Sequence, residues 1–262
     1  MKKLNTFLLA CMLLGSTAVL QSCSKDDAPV VEEEEQIDEN TLEVEFENAD
    51  LASFIREELE LATTAKITRG DLKKLTSLNI RTAIEFRQTL ANLSSLKGLE
   101  HATELTLLDF GNTKVSDLTP ISGLTKVTYL RMNETPVTDL SPVANYTTLT
   151  YFNANQAGSI TDIAALDKNV NIEQIILRGN AIGDKMMTTI AKFGKLSRLN
   201  IRSTDVTNIT VLGELMAQGT LLKTTPGYVE GDAELDLRGN NITDFSPIQS
   251  YINDKTAVPV SM

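Results

Sequence analysis

The sequence predicts an α/β solenoid in which short parallel strands stack along one concave face. Three observations predict it. A similar run of apolar residues recurs around Leu78, Leu108, Leu130, Phe152, Ile175, Leu199 and Leu235, and from Leu108 to Leu199 the separations are 22, 22, 23 and 24 residues. Within each copy apolar and polar residues alternate with a period of two, as in a half-buried strand. Several copies then close with an Asp followed three positions later by Pro: Asp117 and Pro120, Asp139 and Pro142, Asp244 and Pro247.

The chain opens with a segment to be set aside from fold reasoning. Lys2 and Lys3 precede the apolar run "FLLACMLLGSTAVL" at residues 7–20, too short and too early for a spanning helix. The run ends in "LQSC", which resembles a bacterial lipoprotein signal cleaved before Cys23, the residue that then carries lipid. Cys11 fits the same pattern but leaves too short an apolar region. "SKDD" at 24–27 resembles the export tag of surface lipoproteins of the Bacteroidota. The resemblance implies an outer-membrane lipoprotein displayed at the cell surface, with a periplasm-facing location as the alternative. With Cys11 removed and Cys23 acylated no thiol remains for a disulfide, a metal site or a nucleophile, and His101 is the only histidine.

Without residues 1–22 the chain carries 22 basic and 35 acidic residues, a formal charge of −13. Residues 23–47 hold eleven of the acidic residues and only Lys25, so residues 48–262 carry −3. Residues 23–47 therefore read as a solvated, self-repelling tether. Residues 48–74 read as an N-terminal helical cap, with Leu51, Phe54, Ile55 and Leu59 at helical spacing behind a polar "ENAD" start.

Residues 75–248 form the repeat region. Relative to each centre, positions −3, 0, +2, +7 and +10 are apolar, as in Val127, Leu130, Met132, Val137 and Leu140. One coil cannot bury such a set, whereas stacked coils bury it continuously. The pattern L-x-x-L-x-L-x-x-N/T-x-V/I-x-x-L is that of the leucine-rich repeat. Position +5 usually holds Asn, whose amide bonds turn groups of adjacent coils; here it is Thr113, Thr135, Ala157, Asn180, Thr204 and Asn240. Thr shares part of that role. Ala157 cannot, and Gly158 and Ser159 beside it suggest an altered turn. Asp117, Asp139, Asp162 and Asp244 sit where a side-chain oxygen caps a short helical turn, a safer reading than a calcium ladder. About residues 210–231 interrupt the period, and Leu199 to Leu235 is fourteen residues longer than a 22-residue repeat. "VLGELMAQ" reads as a convex-side helix and "TTPGYVEGD" as a protruding loop. Residues 249–262 read as an edge strand or frayed end. The cap helix followed by "LKGLEHATELTLLDFGNTKVSDLTPISGL" resembles the bacterial internalin-type leucine-rich-repeat family, in which His101 is ordinary consensus. The resemblance implies a non-enzymatic surface protein with a protein ligand.

In such a solenoid positions −1, +1 and +3 face outward from the concave sheet. They place Tyr129, Arg131, Asn133, Tyr151, Asn153, Asn155, Ile176, Arg178, Arg198, Arg202 and Arg238 on one surface. Tyr and Arg are the types enriched at binding hot spots, and clustered Arg favours carboxylate or phosphate groups. Exposed strand positions also tolerate these residues without any ligand. A basic footprint for nucleic acid is absent, as are phosphate-binding loops. Asp109, Glu134 and Asp236 are carboxylates on this face, but an open sheet offers no water-excluding site to raise one of their pKa values. The reading is a lipid-anchored, monomeric binding protein without cofactor or metal, its concave face recognising another protein. A glycan-binding accessory, with Tyr129 and Tyr151 stacked on sugar rings, and a structural envelope scaffold are the alternatives.

Overall fold

Each coil begins with a strand of two or three residues centred on the apolar residue of the repeat, because only there do alternate side chains point into and out of the core. The strands are β1 (Ser77–Asn79), β2 (Leu107–Asp109), β3 (Tyr129–Arg131), β4 (Tyr151–Asn153), β5 (Gln174–Ile176), β6 (Arg198–Asn200), β7 (Leu235–Asp236) and β8 (Val260–Ser261). They pair in parallel and in sequence order as one eight-stranded sheet. The computed structural model describes residues 38–82, 86–157 and 160–262. The expected signal segment, Cys23, residues 24–37 of the tether, and Gly158 and Ser159 lie outside the described residues.

The central residues Leu78, Leu108, Leu130, Phe152, Ile175, Leu199 and Leu235 are all fully buried, and so are Val127, Met132 and Val137. Each such side chain contributes roughly 1.5–3 kcal/mol relative to exposure. Backbone bonds run on past the strands. The +2 amides of Phe110, Met132, Ala154, Leu177 and Ile201 donate to the +1 carbonyl of the next coil at 2.8–3.0 Å. The +4 amides of Asn112, Glu134, Gln156, Gly179 and Ser203 donate to the next +3 carbonyl at 2.7–2.9 Å. That second bond needs a left-handed residue at +4. Asn112, Glu134, Gln156 and Ser203 adopt it at φ between 50° and 62°, and Gly179 at 76°.

The +5 column shows why Asn and Thr differ. Thr113 and Thr135 donate only to the +2 carbonyl of their own coil, at 2.8 and 2.7 Å, whereas Thr204 donates to its own at 2.6 Å and makes a longer bond to Asn240 Oδ1 of the next coil at 3.3 Å. Asn180 donates to Leu177 O of its own coil and to Ala154 O of the preceding one, both at 2.8 Å, and accepts from Ile160 N at 3.3 Å. Asn240 repeats this arrangement with Leu237 O, Ile201 O, Thr204 N and Val206 N. A further ladder follows position −2, where Thr106, Thr128 and Thr150 each donate a hydroxyl to the −2 carbonyl of the preceding coil at 3.0–3.2 Å.

The return segments are short helical turns. Asp117, Asp139, Asp162 and Asp244 accept from the amides of Thr119, Ser141, Ala164 and Ser246 at 2.7–2.8 Å. Pro120, Pro142 and Pro247 stand in the first turn, where a missing amide hydrogen costs nothing. Among the described residues no cluster of His, Cys, Asp or Glu has the geometry to hold a metal ion.

At the N-terminal end helix α1 (Ala49–Glu58) is capped by Asn48, which accepts from Leu51 N at 2.8 Å, and buries Leu51, Phe54 and Ile55. Helix α2 (Arg69–Leu72) starts at a Thr68–Asp71 capping box, and α3 (Arg87–Leu90) follows β1. Residues 38–47, expected as part of the tether, run along this cap. Val44 N donates to Ile67 O and Arg69 N to Leu42 O at 2.8 and 2.9 Å, and Phe46 packs over Gly98. Apolar Leu42, Val44 and Phe46 between the acidic residues give this stretch a face to dock.

Helix α4 (Met186–Ile190) closes the fifth coil. The interruption forms α5 (Thr210–Ala217), packed on α6 (Ser246–Asn253) of the last coil. The chain after α5 stays tied to the solenoid. Leu221 is fully buried, donates from its amide to Leu196 O and accepts from Val258 N. The turn at Gly227 lies against Glu173, so the exposed tip shifts to Val229–Gly231. The final residues extend the sheet, as Leu235 N and Leu237 N donate to Pro259 O and Ser261 O at 2.8 Å. Among the described residues no helix is long and apolar enough to cross a membrane.

Candidate functional site

At the centre of the concave face β3 and β4 place Tyr129 opposite Tyr151 and Arg131 opposite Asn153. The two rings stack, centroids 4.1 Å apart and planes 2° from parallel. The strand spacing of about 4.8 Å makes this contact available to any aromatic pair in one column. Asn153 Nδ2 donates to Tyr151 Oη at 3.1 Å, while its Oδ1 accepts from Asn155 N at 3.0 Å. Burial, then the neighbouring Tyr151, pushes the Tyr129 hydroxyl up to about 12.

Beside the stack, Arg131 Nε donates to Asn133 Oδ1 at 2.6 Å. Beneath it lies Asp109, 1% exposed, with the guanidiniums of Arg81 and Arg131 at 3.7 and 3.9 Å. Its firm partner is Gly111 N at 3.1 Å. Burial pushes the Asp109 carboxyl above its ordinary value, against the opposing pull of that amide and the two arginines, so contrary to expectation the open sheet covers one carboxylate deeply enough to raise it.

The C-terminal half is built differently. Arg198 meets Glu234 through Nη2 and Nε at 3.1 and 3.2 Å, and Asn200 donates to the same carboxylate at 3.1 Å. Arg238 grips Asp236 with Nη2 at 2.7 Å and Nε at 2.9 Å. Burial of Asp236 raises its carboxyl, but the direct Arg238 bonds outweigh this and hold it below the ordinary value. Two carboxylates in one column thus shift oppositely, because the direct Arg238 bonds outweigh burial at Asp236 while burial prevails at Asp109.

The eleven residues expected on this surface do not contribute equally. Tyr129, Tyr151, Arg131, Asn155, Arg198 and Arg202 are partly exposed, and Arg178 and Arg238 are exposed. Asn133, Asn153 and Ile176 are 3%, 8% and 7% exposed, so they support the face from below. The short strands let +1 and +3 side chains lie flat along the sheet, where their own neighbours cover them. Asp109 and Gly111 escaped the residue-type argument. Gly111 matters because a Cβ there would stand 2.2 Å from Asn133 Oδ1.

Comparison with known proteins is informative at the level of fold. No family model matches the chain, and no curated protein does. Among solved structures, an internalin (inlF) from Listeria monocytogenes matches with a TM-score of 0.62 and 26% identity, over 78% of this chain and 54% of that one. Internalin C2 (inlC2) from the same organism matches with a TM-score of 0.57 and 22% identity, over 76% of this chain and 87% of that one. The fold is an internalin-type leucine-rich-repeat solenoid. This chain spans about half the length of the first of these internalins. The leucine-rich-repeat face described above is therefore its concave sheet, with the tyrosine stack near the middle and the arginines toward the C-terminal end.

Proposed function

We propose that this chain is a non-enzymatic binding protein that recognises a partner protein through its concave leucine-rich-repeat face, held at the outer membrane by lipid on Cys23 and displayed at the cell surface. One observation carries the binding reading: the stacked Tyr129–Tyr151 pair, partly exposed on rigid strands at the centre of the sheet. Aromatic rings fixed in place lose little entropy on binding and are frequent anchors of protein interfaces. The structural likeness to internalins supports this class of function without naming a ligand.

Protein and glycan arrays probed with the full chain, beside its Tyr129→Ala/Tyr151→Ala variant, test the reading. A protein bound by the full chain and not by the variant supports it. A variant that still binds every such protein overturns the concave-face assignment. Cys23→Ser is expected to move the protein from the detergent to the aqueous phase, and protease treatment of intact cells reads out surface display.

A further inference from the structure

The four arginines of the C-terminal half look alike in sequence and differ in structure. Arg198 and Arg238 are matched by Glu234 and Asp236. Arg178 and Arg202 form no ion pair among the described residues, although Arg202 is close enough to Asp236 to help hold its carboxyl down. They occupy the same position on adjacent coils, and Gly179 N donates to Arg202 O at 2.9 Å, which locks the two turns together. Asn180 fixes the turn after Arg178 by its bonds to Leu177 O and Ala154 O. Two arginines therefore leave the sheet from neighbouring positions on a preorganised backbone, on a chain whose formal charge is −11. Like charges held close reinforce each other's potential and favour an anionic partner.

Resting on the concave-face reading above, we infer that the partner presents an acidic polypeptide segment, which lays an apolar side chain on the Tyr129–Tyr151 pair and directs carboxylates to Arg178 and Arg202. A guanidinium and a carboxylate pair through two parallel bonds, which gives the contact direction as well as charge. Tyr151 stands at position −1 and the arginines at +3, roughly 13 Å apart along the strand direction at about 3.3 Å per residue, plus one strand spacing to Arg178 or two to Arg202. An extended segment covers that distance in about four or five residues. Among the described residues of the C-terminal half only these two arginines form no ion pair, too few for the repeating sites of an acidic polysaccharide.

The test uses the full chain and fluorescein-labelled peptides bearing one Leu and, four or five residues away, an Asp–Glu pair. Matched peptides carry Lys in place of the acidic pair, and heparin supplies the acidic-glycan arm. Fluorescence anisotropy at low salt is expected to show saturable binding of the acidic peptide. Arg178→Ala/Arg202→Ala should weaken it about tenfold, and so should about 1 M salt, where the screening length is about 3 Å. Lys97→Ala, the loss of an exposed charge outside the strands and near the opposite end, should change it less than about threefold. Circular dichroism checks that each variant is folded.

Equal binding of the acidic peptide to the arginine variant, equal binding of the Lys peptide, or no binding of any acidic peptide overturns the inference. So does heparin binding that exceeds peptide binding and needs the same two arginines. If the partner or peptide is lost with Tyr129→Ala/Tyr151→Ala but not with the arginine variant, the acidic segment fails and the concave-face reading stands. If neither variant alters binding, both fail.

Discussion

Arg131 is held by Asn133, whose Oδ1 accepts from the guanidinium Nε at 2.6 Å. Asn133 is nearly buried and fits only because Gly111, one coil earlier, has no side chain. Gly111→Ala is therefore expected to displace Asn133 and free Arg131, with a cost of about 1–3 kcal/mol from overpacking. Asn133→Ala should free the same arginine without the clash. Thermal denaturation separates the two, and NMR of the Arg131 Nε–H group should show faster solvent exchange in both. A protected Nε–H in either variant would mean that Asn133 does not hold the guanidinium.

The tyrosine stack makes a pH prediction. Burial and the neighbouring ring raise the Tyr129 hydroxyl to about 12, above its ordinary value near 10. Between those values the unfolded chain releases a proton that the folded chain retains, so stability falls as pH rises from about 10 to about 12. Tyr129→Phe removes that contribution, and its stability should fall less steeply over the same window. Tyrosinate absorbance should show Tyr129 titrating late, together with buried Tyr146, whose hydroxyl donates to Ile121 O. A Tyr129 that ionises near pH 10 would contradict the partly buried stack.

Asn180 offers a direct measure of what joins one coil to the next. Asn180→Thr should keep a bond to Leu177 O, as Thr135 does to Met132 O, while losing those to Ala154 O and Ile160 N. Asn180→Ala should lose all of them. Leaving buried backbone groups unpaired costs about 1–3 kcal/mol each, so Ala should be the more destabilising by about 1 kcal/mol. Urea denaturation read by circular dichroism gives the comparison, and equal midpoints for the two variants would remove the distinction between Asn and Thr at this position.

The repeat core was legible because burial repeats at fixed spacing: every centre from Leu78 to Leu235 lies in its strand, and the Asp column caps return turns. The surface was less legible. Alternation says which side of the sheet a residue leaves from but not whether neighbours then cover it, so Asn133, Asn153 and Ile176 read as exposed and are nearly buried. Nor does residue type tell a matched arginine from an unmatched one. Arg238 and Arg202 occupy the same column, yet only Arg238 has a carboxylate two residues before it, at Asp236. Arg202 has Asn200 there, so that difference was available in the sequence once the turn was known to fold position +3 back over +1. The left-handed column at +4 was hidden because Asn112, Glu134, Gln156 and Ser203 stand where only Gly179 and Gly239 advertise the conformation.

The inserted segment was expected as a helix and a protruding loop, and what secures it is a close approach between helices. A Cβ at Gly213 in α5 would stand 2.4 Å from Pro247 O in α6. That carbonyl belongs to the backbone and cannot swing aside, so Gly213→Ala must push the two helices apart. The gain in helix propensity, up to about 1 kcal/mol, acts in the opposite direction. Overpacking of about 1–3 kcal/mol should exceed it, giving a net loss. Because α6 leads directly into the residues that pair as β8, hydrogen exchange should accelerate from Ser246 to Ser261 while β2–β4 stay protected. A more stable variant with unchanged exchange would mean that the α5–α6 contact has room to spare and that the last coil is held by β8 pairing instead.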